Sequence, residues 1–141
     1  MIILDTDHLS LLRHESSQRR MNLIARLAQV ADETVVTTIV SIEEQMRGWL
    51  ASVAREKTVS RQVFSYDKLI ELFRFFEAFE FVRFDSEAAE IFDELRNRKI
   101  RIASMDLKIA SIAIAQNALL LTANRRDFEM VPGLRFENWL D

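Results

Sequence analysis

Asp5 and Asp7 follow directly on three aliphatic residues in the run Ile2-Ile3-Leu4-Asp5-Thr6-Asp7. Glu44 falls just behind the β-branched run at 34–40, and Asp106 near the start of an apolar helical stretch. Asn124 and Asp127 come just after a further apolar run, "ALLLT" at 118–122. If those runs are neighbouring strands, Asp5, Glu44, Asp106 and Asp127 converge at one end of a sheet. Two carboxylates about 4 Å apart repel by about 4 kcal/mol at an effective dielectric of about 20. A pocket of several acids is therefore costly unless it is protonated or holds a cation. Hard divalent ions take oxygen ligands, and Mg²⁺ keeps several waters while meeting few carboxylates. Such an ion can activate water and stabilise an in-line phosphoryl displacement.

Each acid also has a plainer explanation. Asp5 fits a turn or a helix cap, and Asp7 fits the cap of a helix holding Leu9 and Leu12. Ser41-Ile42-Glu43-Glu44 matches S-x-x-E, a capping box in which Glu44 reaches back to a backbone N–H. Gly48, one turn on, costs roughly 1 kcal/mol against Ala inside a helix. That cost suggests close packing beside Glu44. Asp106 can complement a helix dipole. Asn124 can be an ordinary N-cap, with Asp127 a solvated acid three residues on.

The elements that must position these residues alternate in type. Residues 2–4 read as a buried strand, and Ile24, Leu27, Ala28 and Ala31 set a helix over 17–31. "TVVTTIV" at 34–40 reads as a second buried strand, with a helix from Ser41 to about residue 54. Val63, Tyr66, Ile70 and Phe73 mark a helix near 59–78, and "FEFVRF" at 79–84 alternates as a strand. Asp85-Ser86 can cap a helix carrying Ala88, Phe92 and Leu95 on one face. A polar connection at 97–104 leads to a helix over 104–117, a strand at 118–122 and a short helical turn in "NRRDFEM". Pro132-Gly133 reads as a turn and "LRFENW" as an edge strand. Strands alternating with helices predict an α/β fold with a mostly parallel sheet covered on both faces. In such sheets ligands bind beyond the carboxyl ends of the strands, where these acids fall.

The 141 residues fit one domain, and 49% hydrophobic with 29% charged residues excludes a disordered tail. No apolar run approaches the roughly 20 residues of a membrane span. The N-terminus lacks the pattern of a signal peptide. With no cysteine there are no disulfides or thiolate metal sites. These features favour a cytoplasmic location. A net charge of −3 supplies no bulk attraction for nucleic acid, so such a substrate must be held by local basic residues or bound cations. Arg98, Lys99 and Arg101 precede Asp106, and Arg125-Arg126 lie between Asn124 and Asp127. Basic runs are usually solvated, but beside an acidic pocket these could grip flanking phosphates. His8 and His14 read as structural or surface residues. The aromatic run "FRFFEAFEFVRF" reads mainly as helix end, turn and strand feeding the core, with a dimer face as the lesser alternative.

"ILDTD", "SIEEQMRG", "SMDLKIASIAIAQN" and "LLTANRRDFEMVPGLRFENW" together resemble the PIN domain, in particular the VapC-type ribonuclease toxins. The resemblance runs in order over nearly the whole chain, and the ordered set is specific where each motif alone is not. It implies a single PIN-like domain over 1–141, with a three-layer α/β fold and a central, mostly parallel sheet. It also implies Mg²⁺- or Mn²⁺-dependent endoribonuclease activity, a homodimer, and inhibition by a small antitoxin whose tail enters the active site. Residue by residue, Asp5, Glu44, Asp106 and Asp127 match the four family acids, as catalytic and metal-binding positions. Glu44 stands four before Gly48, as in the family's E-x-x-x-G, and Asp127 lies in T-x-N-x-x-D-F. Thr6, Thr122 and Asn124 match supporting polar positions. Asp7 stands where Asn is more usual, and Asn117 where Gly commonly ends the helix, a conformation that Asn tolerates.

Two other functions compete. Asp5-Thr6-Asp7 behind an apolar strand also fits the D-x-D of a haloacid-dehalogenase-like phosphatase, with Asp5 as nucleophile and Asp7 as general acid. Against it, Leu9 stands where that family prefers Thr or Val, and no later Gly-Asp acidic motif appears. A noncatalytic binding protein that keeps the PIN fold is the third possibility, and the intact set of four acids argues against it.

Overall fold

Three aliphatic residues with both faces covered make a strand that can only be central. Ile2–Leu4 (β1) pairs in parallel with Val35–Thr38 (β2) on one side and with Leu119–Leu121 (β4) on the other. Phe81–Val82 (β3) extends the sheet beyond β2, and Arg135–Glu137 (β5) extends it beyond β4. The order is β3-β2-β1-β4-β5, with every pairing parallel. The computed structural model describes residues 1–13 and 16–141. His14 lies outside the described residues.

The period-2 alternation of a strand splits the sheet's side chains between two cores. Ile3, Val36 and Leu120 face one way, onto Ser86–Asn97 (α5), Ser104–Ala115 (α6) and Arg125–Phe128 (α7). Ile2, Leu4 and Leu121 face the other way, toward Leu9, Leu23, Leu72 and Phe76. Those four come from Thr6–Arg13 (α1), Gln18–Gln29 (α2) and Val59–Phe76 (α4). Helix α4 lies against Ile39–Arg55 (α3), the other long helix. α6 is the most deeply set helix, with Leu107 and Ile109 through Ala113 all buried.

Several boundaries follow their sequence signals. Asp85 caps α5 by accepting a hydrogen bond from the Ala88 N–H at 3.0 Å. Asn117 adopts φ +50° after α6, and the Ala118 N–H returns to the Ala113 carbonyl. Lys99 adopts φ +61° after α5, while the Ile100 N–H closes onto Leu95. Such a left-handed residue is the usual way to satisfy the last carbonyls of a helix. The aromatic run divides: Phe76 and Val82 are buried, whereas Phe73 and Phe81 stand half exposed.

Four expectations are overturned. Helix α3 begins at Ile39, inside the predicted strand, because the Thr38 hydroxyl captures the Ser41 N–H at 3.0 Å. Thr38 is thus the N-cap, Ser41 is buried in the first turn, and Glu44 belongs to no capping box. Asp7 is not a cap either, since α1 begins at Thr6 and the Leu9 N–H bonds to the Asp5 carbonyl, so Asp7 lies inside the first turn. Gly48 is exposed and a Cβ there would meet nothing within 4 Å, so close packing is not its reason.

Candidate active site

The site forms where β1 and β4 run out together. Their last ladder pair is Leu4 with Leu121, so the next residues, Asp5 and Thr122, meet beyond the sheet's carboxyl end. Thr122 donates its hydroxyl hydrogen to Asp5 Oδ2 at 2.7 Å, and the Thr6 N–H donates to Asp5 Oδ1 at 2.8 Å. Asp5 is only 6% exposed. Burial, followed by the charge of Asp7, pushes its carboxyl up to about 7, against the lowering effect of the two hydrogen bonds.

Glu44 reaches in from the second turn of α3. Its Oε2 lies 3.4 Å from the donor hydroxyl of Thr6, while its Oε1 is buried without a partner among the described residues. Asp106, in the first turn of α6, completes this side. Burial and the charge of Asp106 raise the Glu44 carboxyl. Burial and the charges of Asp127 and Asp7 raise Asp106. Asn124 forms no side-chain cap on α7. Its amide instead donates to Asp127 Oδ2 at 3.0 Å and reaches Asp106 Oδ2 at 3.5 Å, tying two acids that lie on different helices.

All four acids and all three supporting residues therefore lie at the same end of the sheet. Among the described residues no three acids or histidines close into a ready-made metal-binding group. Like charges in a half-buried space hold one another apart until something positive joins them. The donor set still suits a hard divalent cation. It is all oxygen, three of its acids are raised by burial and the charge of neighbouring carboxylates, and one buried carboxylate oxygen has no partner among the described residues.

The basic residues are less concentrated. Arg98, Lys99 and Arg101 are exposed on the connection that leads into α6. Arg125 and Arg126 are exposed on α7, and Arg125 already pairs with Glu129 at 3.3 Å. Sequence reasoning missed the surroundings of Asp7. Its Oδ1 meets His8 Nδ1 at 2.6 Å and its Oδ2 accepts the Ala123 N–H at 2.8 Å. The available signal was His8 itself, four residues before Leu12 on the inner face of a short helix.

The family model of the PIN domain matches residues 2–134. The chain belongs to the PIN domain family. Over 50 residues it is 46% identical to Ribonuclease VapC2 of Rickettsia felis, a stretch covering 36% of this chain and 37% of that protein. Its fold is similar to that in the crystal structure of VapBC2 from Rickettsia felis bound to a DNA fragment from their promoter. That likeness has a TM-score of 0.66 and 26% identity, and covers 99% of both chains. FitAcB from Neisseria gonorrhoeae shares the fold with a TM-score of 0.68 at 21% identity, again over 99% of both chains. Among the described residues no helix is long and apolar enough to cross a membrane.

Proposed function

We propose that this chain is a divalent-metal-dependent endoribonuclease and the toxin of a VapBC-type toxin–antitoxin pair. The observation that carries the nuclease reading is the Asp5–Glu44–Asp106 constellation at the end of a PIN-fold sheet. Three carboxyls there are raised by burial and the charge of neighbouring carboxylates, and Glu44 Oε1 has no partner among the described residues. Asp5, Glu44 and Asp106 would hold Mg²⁺ or Mn²⁺, with Asp127 steered by Asn124. A cation held there would offset the charge of a phosphodiester and lower the pKa of attacking water. The protein's own part is orientation: Thr6 and Thr122 fix the oxygens of Asp5, and Asn124 fixes Asp127 and Asp106. Arg98, Lys99, Arg101 and Arg126 would grip phosphates flanking the cleaved bond.

The partner reading rests on the likeness to VapBC2. A small antitoxin would deliver a basic side chain to the acids and cover apolar helix surface, on a homodimer of this chain. The phosphatase reading loses support at Asp7, whose two oxygens are both engaged by donors, a poor arrangement for a general acid. A noncatalytic role leaves the raised acids without a use.

The test is incubation of the purified chain with RNA, with and without Mg²⁺ or Mn²⁺, beside Asp5→Asn and Asp106→Asn. Cleavage that requires the metal and fails in both variants is expected. Equal cleavage by wild type and both variants would overturn the assignment.

A further inference from the structure

His8 is completely buried, and both of its ring nitrogens are engaged. The backbone N–H of Trp139 donates to His8 Nε2 at 3.2 Å. An N–H can donate only to a bare nitrogen, so Nε2 carries no hydrogen and the ring proton sits on Nδ1. That proton points at Asp7 Oδ1, 2.6 Å away. Asp7 Oδ2 in turn accepts the Ala123 N–H at 2.8 Å. Asp7 therefore faces a fixed donor at each oxygen, and only a carboxylate can accept at both. Asn would turn its amide hydrogens toward one of the two.

The consequence reaches Asp5 through Thr122. The Thr122 hydroxyl lies 2.7 Å from Asp5 Oδ2 and 3.3 Å from Asp7 Oδ2, but has a single hydrogen. With the Ala123 N–H already on Asp7, that hydrogen goes to Asp5 at the shorter distance. The same hydroxyl oxygen accepts the Asn124 N–H at 3.1 Å, which fixes its rotation. The far end is anchored as well. Trp139 and Leu140 are buried, the Trp139 Nε1–H donates to Glu137, and Arg26 stacks on the indole at 4.6 Å.

We propose that Trp139, His8 and Asp7 form a positioning relay. It pins the start of the β4–α7 connection so that Thr122 aims its one hydrogen at Asp5. This inference deepens the nuclease reading and rests on it. Asp7 is a positioning residue in it, with no contact to substrate. Outer partners of this kind typically contribute about 10–100-fold.

The test has one arm independent of activity. Long-range ¹H–¹⁵N correlation of the wild-type imidazole should show His8 protonated at Nδ1 and bare at Nε2. An Nε2-protonated ring would overturn the relay even if the chain cleaves RNA. If wild type fails to cleave RNA, the nuclease reading falls, and this spectrum still decides the hydrogen-bond chain. In the kinetic arm, Asp7→Asn should lower kcat for RNA by about 10–100-fold and leave KM within about threefold. His8→Gln, whose donor and acceptor share one terminal amide carbon and so cannot occupy the Nδ1 and Nε2 positions of the ring together, should move kcat in the same direction. It serves as the second variant if Asp7→Asn does not fold. Thr122→Val removes the hydroxyl at nearly constant volume. In that background Asp7→Asn should cost less than about threefold, because the relay has lost its output. Wild-type kcat in folded Asp7→Asn or His8→Gln would overturn the proposal. So would an Asp7→Asn loss that multiplies in full with that of Thr122→Val.

Discussion

The two sides of the acidic site are built differently. On the β1–β4 side, Asp5 is buried with a donor on each oxygen, and Thr122, Asp7 and His8 continue the network behind it. On the α3–α6 side, Glu44 and Asp106 are half-buried. Their side-chain contacts are long, at 3.4 and 3.5 Å, and Glu44 Oε1 has none among the described residues. Strands paired over their whole length can deliver residues in fixed register. Helices that meet across a gap cannot, and their acids are held less firmly. The first side is organised in advance, while on the proposed nuclease reading the second would be completed by a cation. This difference assigns separate expected behaviours to the two sides.

The largest effect should come from the organised side. Asp5→Asn keeps volume but removes the central charge, and RNA cleavage should fall by about 10³-fold, within the range for loss of one electrostatic contributor. Steady-state cleavage of a short RNA at saturating Mn²⁺ reads it. A loss below about tenfold would mean that Asp5 is dispensable and the two sides are misassigned.

The metal-free protein should also be more stable in acid than at neutral pH, within the range where it stays folded. Asp5 is raised from 3.8 to about 7 in the folded state, so between those values the folded form binds more protons than the unfolded one. Its contribution is full below about pH 4 and is lost as pH rises through about 7. The rise corresponds to about 4 kcal/mol, an order-of-magnitude figure. Glu44 and Asp106 act with the same sign. Urea unfolding in EDTA at several pH values should show this fall, and Asp5→Asn should flatten most of it. A metal-free stability that climbs from pH 5 to pH 8 would contradict the burial cost.

Divalent ions should reverse that loss mainly through the open side. At about a hundredfold over its dissociation constant, an ion that binds only the folded state stabilises by about 2.7 kcal/mol. The melting temperature at neutral pH should thus rise by several degrees on going from EDTA to millimolar Mn²⁺. Asp106→Asn should abolish most of the rise while melting no lower than wild type in EDTA, because it relieves repulsion. An unchanged Mn²⁺ response in that variant would remove Asp106 from the metal set.

The smallest effect belongs to the basic residues at the rim. Arg126→Ala should raise KM for RNA by only a few-fold and make the salt dependence shallower by about one counterion. Arg125→Ala should do less, since Arg125 is already paired with Glu129. A change in kcat at either position would place it closer to the reacting bond.

Several features were legible without coordinates because they are local. Ile2-Ile3-Leu4, the Asp85 cap and the left-handed turn at Asn117 each follow from neighbours within a few residues. The order of the acids behind their strands and the PIN resemblance were likewise readable from the chain. The start of α3 was misplaced because the β-branched run favours a strand, while the Thr38 hydroxyl, bonded to Ser41, set the helix start inside it. Asp7 was misread for a different reason. Its donors are Ala123, distant in sequence, and His8, whose tautomer is set by Trp139 at a separation of 131 residues. Thr122 and Asp5 meet across 117 residues. Local pattern determines which residues are buried and where strands end, because burial follows the 2.0 and 3.6 periods of the backbone. Which carboxylate is dehydrated, which oxygen is left without a donor and which nitrogen keeps its proton were decided only when the strand order brought distant residues to the same edge.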